Sequence, residues 1–205
     1  MINQFVEHQL FPTVVYQNSI PINQNELKIV KDLEYQRMPS NNGNFTKLKD
    51  VLSILPETRS SIVEHIKYYT EKVLSIMPKY SFPITDSWVN EHTKEDKAQK
   101  HFHANALISG VYYLQAPEDS GNIIFHKPTN HNNFLNEIFN FDTIFVNERN
   151  TAEYVINIKE GMLLLFPSQV YHSTQINKSS SKRYSLAFNT WVKGDFGTDI
   201  DKLKL

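Results

Sequence analysis

His172-Ser173-Thr174-Gln175-Ile176-Asn177-Lys178-Ser179-Ser180-Ser181-Lys182-Arg183-Tyr184-Ser185-Leu186-Ala187-Phe188-Asn189-Thr190-Trp191-Val192 reads as strand, turn, strand. The run 183–192 is rich in aromatic and aliphatic residues, as is usual for a strand packed on a core. The polar Ser179-Ser180-Ser181-Lys182 before it reads as a tight turn, so the spacing predicts a hairpin with a first strand over 172–177. Strand periodicity puts Arg183 and Ser185 on one face. The hairpin would return Arg183 to the end of the strand pair that holds His172.

Upstream, short β-rich runs alternate with polar turns over the whole second half. Strands are expected at 87–92, 101–114, 122–126, 143–147, 152–158 and 162–167. This succession predicts a mainly β sandwich or jelly roll with flanking helices. The first third is mixed. Residues 10–16 read as a strand, and 23–37 as a helix with Leu27, Val30 and Leu33 at helical spacing. Residues 39–44, with Gly43, read as a loop. A longer helix is expected over 56–77, where Ile62, Val63, Ile66, Tyr69, Val73 and Met77 recur three or four apart, with Pro56 at its entry and Pro78 past its end. That stripe reads as core packing of helices on one face of the sheet. The whole chain, 1–205, reads as one domain, with helical support at 23–78 and a β core at 85–192.

Two further stretches read as exposed loops: the charged 93–100, and the Asn-rich 127–142. The second carries Phe134, Leu135, Ile138 and Phe139 and could form a short helix or lid that helps choose a substrate.

Composition narrows the function classes. A net charge of −1 argues against a basic surface for duplex nucleic acid. The absence of cysteine excludes disulfides, thiolate metal sites and a thiol nucleophile, and fits a cytoplasmic chain. No signal peptide is read at the N-terminus, and no apolar run approaches the roughly 20 residues that span a bilayer. The expected partner is a substrate of unidentified class, with room for a homodimer and no membrane.

The chemistry centres on His101-Phe102-His103. Two imidazoles in alternate positions of an extended strand point the same way, and His172 can come back from a later strand as a third nitrogen donor. A metal needs such lone pairs to converge at about 2.0–2.2 Å. No His-x-Asp or His-x-Glu occurs, so His103 stands where the usual facial arrangement of non-haem iron would place a carboxylate. A second register has His103 as first ligand and Asn105 beside it. Arg183 and Ser185 complete the pattern, because a guanidinium can hold a carboxylate through paired hydrogen bonds and a hydroxyl can add another. If buried, Arg183 needs a negative partner: a bound dicarboxylate, or an Asp or Glu distant in sequence. The combination suggests a mononuclear iron enzyme with an acidic co-substrate.

The stretch 101–114, His-Phe-His-Ala-Asn-Ala-Leu-Ile-Ser-Gly-Val-Tyr-Tyr-Leu, resembles the core motif of a group of 2-oxoglutarate/Fe(II) oxygenases found in bacteria and phages. Leu10-Phe11-Pro12, Trp88-Val89-Asn90, Gly161-Met162-Leu163-Leu164-Leu165-Phe166-Pro167, His172, and 183–189 match in the same order. The resemblance implies a double-stranded β-helix, a jelly-roll variant. It implies Fe(II) at His101, His103 and His172, and 2-oxoglutarate gripped at its distal carboxylate by Arg183 and Ser185, with O2 as oxidant. Tyr112, Tyr113, Asn189 and Asn105 are candidate pocket residues. Competing expectations are a cupin-type three-His dioxygenase or isomerase that does not use 2-oxoglutarate, and a non-enzymatic jelly-roll binding or phage structural module.

Overall fold

The computed structural model describes residues 6, 8, 11–38, 43–127, 142–147, 149–198 and 200–205. Leu10, most of the expected loop 39–44, and the lid residues Phe134, Leu135, Ile138 and Phe139 lie outside the described residues, as does His131.

In chain order the strands are β1 Tyr16–Ser19, β2 Tyr35–Arg37, β3 Asn44–Thr46, β4 Ile84–His92, β5 Ile108–Gln115, β6 Ile123–His126, β7 Glu153–Ile156, β8 Met162–Pro167, β9 His172–Thr174, β10 Arg183–Thr190, β11 Asp195–Phe196 and β12 Leu203–Lys204. Two helices, α1 Gln24–Lys31 and α2 Pro56–Tyr68, precede most of them. A large sheet runs β1-β8-β5-β10-β4-β3-β2 and a small one β7-β6-β9, while β11 and β12 pair separately. Neighbours in both main sheets are antiparallel. The mainly β, double-stranded β-helix expectation agrees with this arrangement.

Alternation along the strands builds two cores. Tyr184, Leu186 and Phe188 of β10 point to the same side as Tyr112 and Leu114 of β5 and Leu163 and Leu165 of β8, where they pack with Leu27, Val30, Ile62 and Ile66 of the helices. The opposite face carries Val111, Tyr113, Leu164 and Phe166 toward Ile123 and Phe125 of the small sheet. The helices therefore cover one face of the large sheet, and the space between the sheets is left for the side chains at 183, 185 and 189.

Several boundaries differ from the sequence expectations. The first strand begins only at Tyr16, because Phe11 has a positive φ of 59° and Pro12 has no amide to give to a ladder. Helix α1 stops at Lys31, where the Asp32 amide closes onto carbonyls of the last turn, and Tyr35–Arg37 becomes β2. At its start, the Asn23 side chain accepts from the amides of Asn25 and Glu26. Helix α2 has Pro at its first position and no capping side chain of its own. The buried carboxylate of Glu26 instead accepts from the amides of Glu57 and Thr58 at 2.9 and 3.0 Å, a charge placed well for a helix N-terminus.

The α2 pattern also breaks after Tyr68, where residues Tyr69–Val73 form a wider π turn. A widened turn rotates later positions off the 3.6-residue stripe. Ile62, Ile66 and Tyr69 are buried as expected, but Val63, Val73 and Met77 are exposed. The expected strand at 143–147 does not form. Ile144, Phe145 and Val146 are exposed, and Asn147 is engaged in a turn that accepts the Arg149 amide.

The expected hairpin is corrected too. β9 and β10 belong to different sheets, and residues 175–182 cross between them. Along the way Gln175, Asn177 and Lys178 donate their amides to Asn122, Asp96 and Asp119 instead of to β10.

One backbone position tests the packing of the large sheet. Gly110 faces Phe188 across the β5–β10 ladder, and a methyl group there would lie 2.1 Å from the ring. Gly110→Ala is expected to destabilise the fold by about 1–3 kcal/mol through overpacking, read as a lower denaturation midpoint with an unchanged slope.

Candidate metal centre

The segment 101–107 is not a strand, contrary to the periodicity argument. His101 makes a single antiparallel bridge with His172, donating to its carbonyl at 2.9 Å and accepting from its amide at 2.8 Å. His103 donates its amide to the Ser168 carbonyl at 2.9 Å. Asn105 then takes a positive φ of 57° and turns the chain into β5. Asn tolerates that conformation better than most residues. Its side chain is exposed in a turn, so the register with Asn105 as a ligand is not formed.

Even so, the three imidazoles meet. Ring centroids are separated by 5.4 Å for His101 and His103, 4.3 Å for His101 and His172, and 5.1 Å for His103 and His172. One ligand atom from each lies within 4.8 Å of the others. The free nitrogens can be assigned by elimination. His101 Nδ1 is 2.7 Å from the Gln99 carbonyl and His172 Nδ1 is 3.0 Å from the Val170 carbonyl. A carbonyl only accepts, so both Nδ1 atoms carry a proton, and in the neutral form of each ring the Nε2 lone pair is the one left for a metal. His103 Nδ1 lies 2.6 Å from Asn189 Oδ1 and follows the same rule.

Burial pushes the His172 imidazole down to about 3, with neighbouring His101 adding to the effect. Burial likewise holds His103 below the ordinary histidine range. Neutral rings with oriented Nδ1–H groups are what a divalent metal requires of imidazole ligands.

The cavity beside these rings has a volume of about 380 Å³. Trp88, His92, Tyr113, Phe166, Thr174 and Ser185 help line it. Trp88 sits with its ring 5.5 Å from His103. Tyr113 and Asn189 thus belong to this side of the sheet. Tyr112 does not: one residue along β5 from Tyr113, it points into the helix-covered core and donates to the carbonyls of Ile20 and Pro21 at 3.2 Å.

Arg183 is 1% exposed, and among the described residues its guanidinium hydrogen-bonds to neutral groups. One Nη donates to the Ser120 and Gly121 carbonyls at 2.8 and 2.7 Å. The other reaches His92 Nδ1 at 2.7 Å and Thr174 Oγ1 at 3.2 Å. His92 can accept because burial, helped by Arg183, pushes it down to about 3. Among the described residues no carboxylate pairs with this cation, and its Nε–H is buried without a partner. A fully buried cation with an unmet donor fits an anion supplied by a ligand.

Thr174 also supplies a ruler. It touches the guanidinium, and His172 stands one two-residue step away on the same strand, about 7 Å. The strand therefore sets the ring of His172 and the Thr174 partner of the guanidinium one two-residue step apart on the same face.

Sequence reasoning missed His92, Trp88, Ser109 and Asp86. All are set by register across strands: His92 lies opposite Arg183, and both Asp86 and Ser109 lie opposite Asn189. His126, the next histidine along the chain after His103, is held elsewhere. It contacts Ser173 Oγ at 2.8 Å and Glu153 at 3.1 Å, in a cleft of about 820 Å³ lined by the other face of the small sheet.

Residues 86–189 match the family described as "Putative 2OG-Fe(II) oxygenase". Curated protein sequences give no significant match. Among solved structures, an oxidoreductase of the 2OG-Fe(II) oxygenase family from Burkholderia pseudomallei aligns with a TM-score of 0.56 at 14% identity, over 86% of this chain and 83% of that one. HygX from Streptomyces hygroscopicus, solved with nickel and 2-oxoglutarate bound, gives 0.57 at 11% identity over 87% and 82%. A prolyl-4-hydroxylase from Pseudomonas putida gives 0.52 at 11% identity over 87% and 94%. At these identities the structures establish a shared fold, while the match over 86–189 establishes the lineage: the chain belongs to the 2OG-Fe(II) oxygenase family.

Proposed function

We propose that this protein is an Fe(II)- and 2-oxoglutarate-dependent dioxygenase that hydroxylates its substrate. The observation that carries the reading is one cavity lined by His101, His103 and His172 and by His92 and Thr174, the side chains that hold the buried Arg183, whose Nε–H has no partner. His101, His103 and His172 would hold the iron. Arg183 Nε and Ser185 Oγ would hold the distal carboxylate of 2-oxoglutarate, with Tyr113 among the residues that line the adjoining cavity. When bound, iron, 2-oxoglutarate and O2 together supply the oxidising power for hydroxylation, with succinate and CO2 as the co-products.

The protein's own part is positional. The carbonyls of Gln99 and Val170 fix two ring orientations, and Asn189 fixes the third. The Ser120, Gly121, His92 and Thr174 contacts aim the guanidinium. Trp88 and Phe166 provide apolar walls that limit water around the rings. The buried Arg183 favours this reading over a three-His enzyme that does not use 2-oxoglutarate, and over a structural module, since neither needs a desolvated cation held by residues that line the cavity.

The protein purified without a polyhistidine tag and supplied with Fe(II), ascorbate and 2-oxoglutarate is expected to release succinate slowly without added substrate. If it neither binds nor turns over 2-oxoglutarate under those conditions, the proposal fails.

A further inference from the structure

The three-histidine site lacks the carboxylate expected among its ligands, yet a carboxylate stands behind one of them. Asp86, Asn189 and Ser109 form a row across three neighbouring strands, with Asn189 opposite both of the others. Asn189 Nδ2 donates to Asp86 Oδ2 at 3.0 Å, and Asn189 Oδ1 faces His103 Nδ1 at 2.6 Å. Ser109 Oγ donates to Asn189 Oδ1 at 2.8 Å and lies 3.0 Å from His103 Nδ1. Thr85 Oγ1 donates to the other Asp86 oxygen at 2.8 Å.

The direction of this chain is fixed. A carboxylate only accepts, so the amide nitrogen of Asn189 must face Asp86 and its oxygen must face the imidazole. The ring then donates from Nδ1, and its Nε2 lone pair points to the centre.

We propose that Asp86, acting through Asn189, is a positioning and charge-tuning residue for the metal centre, and that it returns at one remove the negative charge which His103 leaves out of the ligand set. The inference rests on the reading of His101, His103 and His172 as metal ligands. The polarised amide strengthens the hydrogen bond from His103 and makes Nε2 a better donor to the metal. The nearby negative charge offsets part of the charge of a cation held by three neutral rings. Partners of metal-bound imidazoles commonly change metal affinity by about 10–100-fold. Asp86 acts through one intervening amide, so the lower end of that range applies.

A tie that merely joins β4 to β10 predicts something different, and the charge can be moved to separate the two. Asp86→Asn keeps the shape and an acceptor oxygen but removes the charge. The double variant D86N/N189D swaps the two side chains, placing the carboxylate directly on His103 Nδ1 while an amide nitrogen still bridges the strands. The probe is Co(II), titrated into metal-free protein and followed by calorimetry and by its visible ligand-field spectrum.

The wild type is expected to bind one Co(II). Asp86→Asn should bind about tenfold more weakly with an altered spectrum, and the double variant should recover wild-type affinity or exceed it. With iron, the Fe(III)/Fe(II) midpoint potential should move positive in Asp86→Asn and return in the double variant. Affinities within twofold of wild type in both variants, with unchanged spectra, would overturn the relay while leaving the three-histidine site standing. Equal weakening in both variants would also overturn it, because a carboxylate placed directly on His103 Nδ1 would then have failed to restore the affinity. A wild type that binds no Co(II) would overturn the metal-site reading itself, and the relay with it.

Discussion

Replacing His172 with alanine should abolish stoichiometric iron binding while leaving the metal-free fold intact. Of the three rings His172 is the most buried, and it lies within about 5 Å of both others. Its backbone exchanges two hydrogen bonds with His101, and these survive the substitution because they belong to the main chain. What is lost is one of three donors. Structural zinc sites bind with about 10–16 kcal/mol over four ligands, so about 3–4 kcal/mol rests on each. At 1.4 kcal/mol per tenfold, the affinity should fall by two to three orders of magnitude. The truncation leaves a small gap against Phe125 and Phe166, which the neighbouring apolar side chains can partly fill.

Metal analysis of purified protein and a direct titration are the measurements. His126→Ala serves as the comparison, because that ring is held by Ser173 and Glu153 outside the cluster and its loss should leave iron binding unchanged. If His172→Ala keeps a full equivalent of iron with affinity within a few-fold of wild type, the three rings are not the ligand set.

How much of this could be read in the sequence depends on the range of the interaction. β8 and β10 were legible because each is a continuous apolar or alternating run whose pattern reports its own burial. The Arg183/Ser185 face followed from the same alternation. The grouping of His101, His103 and His172 was legible as a set, but for a reason that does not hold. The two imidazoles converge across an irregular segment fixed by one bridge to His172 and a turn at Asn105, not by strand periodicity.

Features set by pairing between distant strands were not legible. Nothing near position 86 or 92 says that Asp86 will lie opposite Asn189 or His92 opposite Arg183. The same holds for the crossing at 175–182. A polar stretch between two strands reads as a hairpin, and only the amide bonds to Asn122, Asp96 and Asp119 show that it passes from one sheet to the other. Tyr112 and Tyr113 show the reverse case. Both were candidates, and the two-residue period guaranteed that only one could face the cavity once the register was fixed.

Arg183→Lys should lose most of the affinity for 2-oxoglutarate while the protein still binds iron. The guanidinium is held by four hydrogen bonds, to two carbonyls, one imidazole and one hydroxyl, with a fifth donor left over. A lysine ammonium is a single point with three donors and cannot cover that fork. It would either stay with the Ser120 and Gly121 carbonyls and fail to reach the ligand, or move toward the ligand and desert them. A charge-assisted bond is worth about 1.5–3 kcal/mol, and each deserted buried polar group costs about 1–3 kcal/mol. The dissociation constant for 2-oxoglutarate should therefore rise about 100-fold, and the denaturation midpoint should also fall.

Ser185→Ala removes one neutral donor from the same end and should weaken 2-oxoglutarate by about tenfold at most, with little change in stability. Calorimetric titration of 2-oxoglutarate into the metal-loaded protein reads both effects, with metal content measured on the same samples. Iron retained with 2-oxoglutarate binding lost assigns Arg183 to the co-substrate. If Arg183→Lys binds 2-oxoglutarate within threefold of wild type, the buried cation serves only to tie the loop at Ser120 and Gly121 to β10, and the anion must be held elsewhere.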